Sequence, residues 1–106
     1  MEILKDKGKK ITIFGYEYTL TISLRTISRM TEKLGSLEEL MLNYETIPVI
    51  LSLMVQDYCE KHPDAPTEAC DAETLRSYLD PTDIRHLQEF IQSILNPKQD
   101  EESKNA

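Results

Sequence analysis

Four side chains in this sequence have the types to share a zinc ion. Cys59, His62, Cys70 and His86 offer thiolate sulfur and imidazole nitrogen, and Cys59 with His62 has the C-x-x-H spacing of some ligand turns. The paired C-x-x-C knuckles of strong zinc signatures are missing, so Cys59 reads as a core thiol and His86 as a surface residue. No metal and no cofactor are expected. Glu38 with Glu39, and Asp80 with Asp83, are pairs that acid-base chemistry would need. Each sits at a predicted helix start, where carboxylates satisfy free amides and meet the positive end of the helix dipole. The three glycines, Gly8, Gly15 and Gly35, are scattered, and no nucleophile elbow, phosphate loop or dinucleotide fingerprint is present. These residues give an enzyme reading no positive support.

Bulk properties narrow the partners. The chain has 106 residues, 40% hydrophobic and 29% charged, which suits one globular domain with a core of its own. A net charge of -7 and a pI near 4.8 repel phosphate backbones and anionic lipid, so protein partners are expected rather than nucleic acid or membrane. Lys5, Lys7, Lys9 and Lys10 form a local basic cluster, but Glu2 and Asp6 are interspersed and no aromatic platform accompanies them. No apolar run approaches the roughly 20 residues of a membrane span, and no secretory h-region opens the sequence. The expected location is the cytoplasm, with Cys59 and Cys70 as reduced thiols.

The elements follow from periodicity and punctuation. Residues 9 to 22 alternate like a hairpin, with Ile11, Ile13, Tyr18, Leu20 and Ile22 on one face, Thr12, Thr19 and Thr21 on the other, and a turn around Phe14-Gly15-Tyr16-Glu17. Leu24, Ile27, Met30 and Leu34 mark an amphipathic helix, capped by Ser23 and closed by Gly35 in a left-handed conformation. Ser36-Leu37-Glu38-Glu39 matches a capping box and starts a second, short helix. A third helix from about Thr46 to Lys61 is apolar around most of its circumference and is predicted to be the enclosed core element. His62-Pro63-Asp64-Ala65-Pro66 breaks it, and a surface loop runs to about Asp71. Asp71 caps a helix carrying Leu75, Tyr78 and Leu79, and Asp80-Pro81-Thr82-Asp83 starts a last helix burying Ile84, Leu87, Ile91, Ile94 and Leu95.

The fold class is therefore α+β, mainly α: an N-terminal β-hairpin followed by four to five helices around one core. Residues 9–96 form the globular domain, 1–8 a flexible N-terminal segment and 97–106 a disordered acidic tail. On the second helix, Leu37, Leu40, Met41 and Tyr44 form one stripe and leave Leu42 off it. Met41, Leu42 and Tyr44, together with Phe90 on the last helix, are the candidate protein-binding residues.

The order of features resembles the tail assembly chaperones of long-tailed, siphovirus-type bacteriophages and prophages. The parts that carry the resemblance are the hairpin Lys10-Ile11-Thr12-Ile13-Phe14-Gly15-Tyr16-Glu17-Tyr18, the helix ending Glu32-Lys33-Leu34-Gly35-Ser36, and Ala72-Glu73-Thr74-Leu75 ahead of the Ile84 to Leu95 helix. It implies a non-enzymatic chaperone that binds the tape-measure protein, helps recruit tail-tube subunits and tends to self-associate. It also implies residence in the cytoplasm of the bacterial host and absence from the mature virion. Client contacts would be helix-to-groove, through Leu42, Met41 or the last helix. Ser103-Lys104-Asn105 is compatible with a slippery stretch that would give a longer second product. The alternative is a small acidic inhibitor or regulatory protein-binding module, although acids placed at helix caps do not make one continuous phosphate-like face.

Overall fold

A short turn with two positive φ values sets the start of the fold. The computed structural model describes residues 9–36 and 40–95. Strands β1 (Lys9–Ile13) and β2 (Tyr16–Leu20) pair antiparallel with Ile11 opposite Tyr18 and Ile13 opposite Tyr16. Only Phe14 and Gly15 lie between them, at φ 53° and 80°, as a type I′ hairpin turn requires. Glycine adopts this conformation without penalty; Phe14 does so with its ring packed on Tyr78, the centroids 4.3 Å apart. Ile13, Tyr18 and Leu20 are buried, while Lys10, Thr12, Glu17 and Thr19 face outward, which is the alternation the sequence predicts.

Helix α1 (Leu24–Leu34) starts at a reciprocal capping box: Thr26 N donates to Ser23 Oγ at 3.1 Å, and Ser23 N donates to Thr26 Oγ1 at 3.4 Å. Ser23 Oγ also reaches Asp57 at 3.5 Å, so the first turn meets the core through Thr26. The predicted stripe is corrected accordingly: Met30 is buried, but Leu24 is 82% exposed. Gly35 has φ 93° with ψ -164°, so the helix ends on a positive-φ glycine in an extended rather than left-handed helical conformation.

The predicted second helix is also corrected. Residues 37–39 lie outside the described residues, 40–42 are irregular and 43–45 form a bend and turn rather than a helix. Asn43 explains the turn. Its Oδ1 accepts from Glu45 N at 2.9 Å and Thr46 N at 3.0 Å, while Asn43 N donates to Thr46 Oγ1 at 3.0 Å and Thr46 Oγ1 donates to the Met41 carbonyl. These local bonds take backbone groups that a helix through this segment would use, and they supply the cap for the next helix that Glu45 does not.

That helix, α2 (Thr46–Lys61), is the centre of the molecule. Ile47, Ile50, Leu51, Leu53, Met54 and Val55 are all buried, and β2, α1, α3 (Ala72–Tyr78) and α4 (Pro81–Leu95) pack around it. Enclosure on all sides is what its near-continuous apolar surface requires. The segment after His62 is less of a surface loop than the sequence predicts. Ala65 and Ala69 are buried, and Glu68–Cys70 forms a 3-10 turn against α2. Asp71 caps α3 by accepting from Thr74 N at 3.0 Å. Asp80 and Asp83 cap α4 reciprocally, Asp83 N donating to Asp80 Oδ1 at 2.8 Å and Asp80 N to Asp83 Oδ2 at 3.0 Å. Replacing Asp80 by Ala is expected to cost about 1 kcal/mol of stability in urea unfolding, whereas Asp80→Ser, which keeps a capping oxygen, costs much less.

Candidate protein-docking surface

The residues with reactive chemistry are brought together in part and then used within the fold. Cys59 and Cys70 meet with Sγ atoms 3.8 Å apart, and Cys59 Sγ also donates to the Pro66 carbonyl at 3.3 Å. Burial, and then the hydrogen bond and charge of Cys59, push the Cys70 thiol up to about 12, away from thiolate reactivity at neutral pH. His62 stacks on Tyr58 with ring centroids 4.0 Å apart, and His86 lies elsewhere, lining a cavity on α4. Among the described residues, no three His, Cys, Asp or Glu side chains are grouped to hold a metal ion.

The acids are similarly engaged. Asp71, Asp80 and Asp83 accept backbone N–H groups at helix starts. Glu60 takes Arg29 at 2.7 Å and Arg25 at 2.6 Å, and those hydrogen bonds, Arg29's first, hold its carboxyl below the ordinary value. Glu73 pairs with Arg76 on α3. Hydrogen bonds from Thr74 lower Asp71 in the same way. The pair Glu38 and Glu39 lies outside the described residues.

Apolar surface is the resource left open. Two cavities lie on either side of Leu79. One, about 290 Å³, is walled by β1 residues Ile11, Thr12 and Ile13, by the α4 stripe Asp83, His86, Leu87 and Phe90, and by Tyr78. The other, about 300 Å³, is formed by Tyr44, Pro48, Leu79, Pro81 and Ile84, with Arg76 and Asp80 at its polar side. Both are at the lower end of the range of ligand pockets, about 300–1,000 Å³, and accept side chains of a partner rather than a large molecule.

The sequence-derived binding residues divide between these features. Tyr44 lines the second cavity and is 67% exposed; Met41, three residues earlier, is 69% exposed. Phe90 lines the first cavity and is partly buried. Leu42, picked out as the residue off the helical stripe, instead packs partly buried against the core. The reversal has one cause: residues 40–45 are not helical, so helical periodicity does not decide which side chains face in. The sequence reading missed the contribution of β1, because a hairpin's outer edge leaves no mark in hydrophobic alternation. Nor does periodicity foretell that the rings of Tyr16, Tyr18, Tyr58 and His62 pack in succession beside the hairpin.

No family model, curated protein or solved structure matches this chain. None of the described helices is long and apolar enough to cross a membrane.

Proposed function

We propose that this protein is a non-enzymatic phage or prophage tail assembly chaperone, which binds the tape-measure protein and helps recruit tail-tube subunits in the cytoplasm of the bacterial host. The observation that carries the reading is the open apolar surface around Leu79, where exposed Tyr44 lines a cavity with Pro48, Leu79, Pro81 and Ile84, and Met41, three residues before Tyr44, is exposed as well. The element order supports it: a hairpin, a helix ending at Leu34 before Gly35, and a late short helix leading into α4. A long helical client exposes apolar seams until the tail tube encloses it. Shallow cavities lined by aromatic and aliphatic side chains can cover such seams and release them again.

The test is co-expression with the tape-measure protein encoded in the same gene cluster. The wild-type chain is expected to keep that client soluble and to co-purify with it. Met41→Asp together with Tyr44→Asp is expected to lower the recovered client at least about tenfold, since charge is placed on an apolar contact, while thermal unfolding of the isolated chain stays unchanged. A client that is equally insoluble with and without the wild-type chain overturns the proposal.

A further inference from the structure

We infer that β1 is an edge for a second copy of this chain, two hairpins joining into one four-stranded antiparallel sheet about a two-fold axis at Ile11. The hairpin is a two-stranded sheet, so the side of β1 away from β2 has no strand on it among the described residues. The turn determines which backbone groups that edge offers. A two-residue type I′ turn makes Ile13 and Tyr16 a hydrogen-bonded pair, and antiparallel pairs alternate. Ile13, Ile11 and Lys9 therefore direct their N–H and C=O groups at β2, and Lys10 and Thr12 direct theirs outward. The adjoining cavity fits this geometry. Three consecutive residues, Ile11, Thr12 and Ile13, line it, and since neighbouring strand side chains point to opposite faces, a cavity touching all three borders the strand's edge.

The edge is complementary to itself in register. Centring two antiparallel β1 strands on Ile11 sets Lys10 of each copy opposite Thr12 of the other, and these are the residues with outward-directed backbone groups. The same register sets Lys9 of one copy opposite Ile13 of the other. Ile13 lines the cavity that holds Asp83, and Phe14, next to it, packs on Tyr78, another wall of that cavity. The basic start of each strand thus falls at the acidic start of the other copy's α4, and lysines of the two copies are not set opposite each other. Ile11 of the two copies meets Ile11 at the axis. Short edge strands carrying lysine discourage indiscriminate pairing, so this register is favoured by its own charges rather than by a long greasy edge. The inference needs only the strand edge and the cavity, and stands whether or not the chain acts as a chaperone.

Sedimentation velocity and amide hydrogen exchange on the full chain, over a range of concentrations, test it. A dimer is expected to grow with concentration while the Lys10 and Thr12 amides become protected. Thr12→Pro removes an outward N–H that the hairpin ladder does not use, and is expected to leave a folded monomer. Lys9→Glu is expected to weaken the dimer about three- to tenfold, through two equivalent contacts, and to cost less when Asp83 is Asn, which keeps the capping oxygen but not the charge. A chain that stays monomeric at every concentration overturns the inference. So does a dimer in which the β1 amides remain exposed, or protection of those amides only by an unrelated extended peptide. A dimer with protected Lys10 and Thr12 amides, formed by a wild-type chain that does not hold the client, separates this inference from the chaperone reading.

Discussion

Ile50→Ala is expected to destabilise the domain by about 2–5 kcal/mol in denaturant unfolding, a large share of the roughly 5–15 kcal/mol that holds a domain of this kind together. Ile50 is fully buried on α2, the one helix that the hairpin and the other helices share as a packing partner. Removing its branched side chain leaves a cavity that neighbours on several sides would all have to move to fill. Leu24→Ala is the matched control. Leu24 is 82% exposed, so its truncation is expected to fall within about 0.5 kcal/mol of wild type. Helical periodicity assigns both residues to a buried position, and equal losses from the two would contradict the packing described above.

The second large effect is alkaline. Tyr18 is fully buried and its hydroxyl donates to the Pro66 carbonyl at 2.9 Å. Burial, with smaller contributions from Cys59 and Cys70, raises it from 10.0 to about 12. In the unfolded chain the phenol loses its proton near 10, while the folded chain still holds it, so between these values the folded state binds more protons and stability falls as pH rises. For Tyr18 the slope is at most about 1.4 kcal/mol per pH unit. Cys70 acts in the same direction from a lower start, since burial raises it from 9.0 to about 12. Stability is therefore expected to be flat from pH 7 to about 9 and to drop steeply by pH 11. Tyr18→Phe is expected to lose stability at pH 7, because the Pro66 carbonyl keeps only the weak Cys59 thiol donor, yet to show a shallower decline above pH 10. Urea unfolding of both proteins at pH 7, 9 and 11 distinguishes these outcomes.

Where local chemistry decided the structure, the sequence was a good guide. The Ser23 cap, the Asp71 cap and the Asp80-Pro81 start of α4 each rest on a few adjacent residues and are found where they were expected, and the turn expected around Phe14-Gly15-Tyr16-Glu17 is tighter, with only Phe14 and Gly15 between the strands. The apolar surface of α2 announced its enclosure for the same reason. Failures came where a local bond competed with a longer pattern. Asn43 and Thr46 hold 43–45 in a turn, and this moves Leu42 inward and leaves Met41 and Tyr44 exposed. Burial of Ala65 and Ala69 was hidden because small residues within or just after a proline break look like loop until a neighbouring surface is known.

The candidate site was half legible. Tyr44 and Phe90 each line a cavity, but the two cavities also need Leu79, Pro48, Pro81, Ile84 and the outer edge of β1, which come from three segments far apart in sequence. Chain folding alone brings them together, and no spacing rule within one element reports it. The sequence's reactive residues were easier to see and matter less here: Cys59 faces Cys70 and a carbonyl, and the Asp80–Asp83 pair caps a helix.

The claim that this surface exists to hold another polypeptide is tested most directly by measuring soluble tape-measure protein in cells that make it with, and without, this chain. A soluble complex that survives purification, and is lost when Met41 and Tyr44 are both changed to Asp, is the expected result. Client recovered at the same level whether the chain is present, mutated or omitted would contradict it.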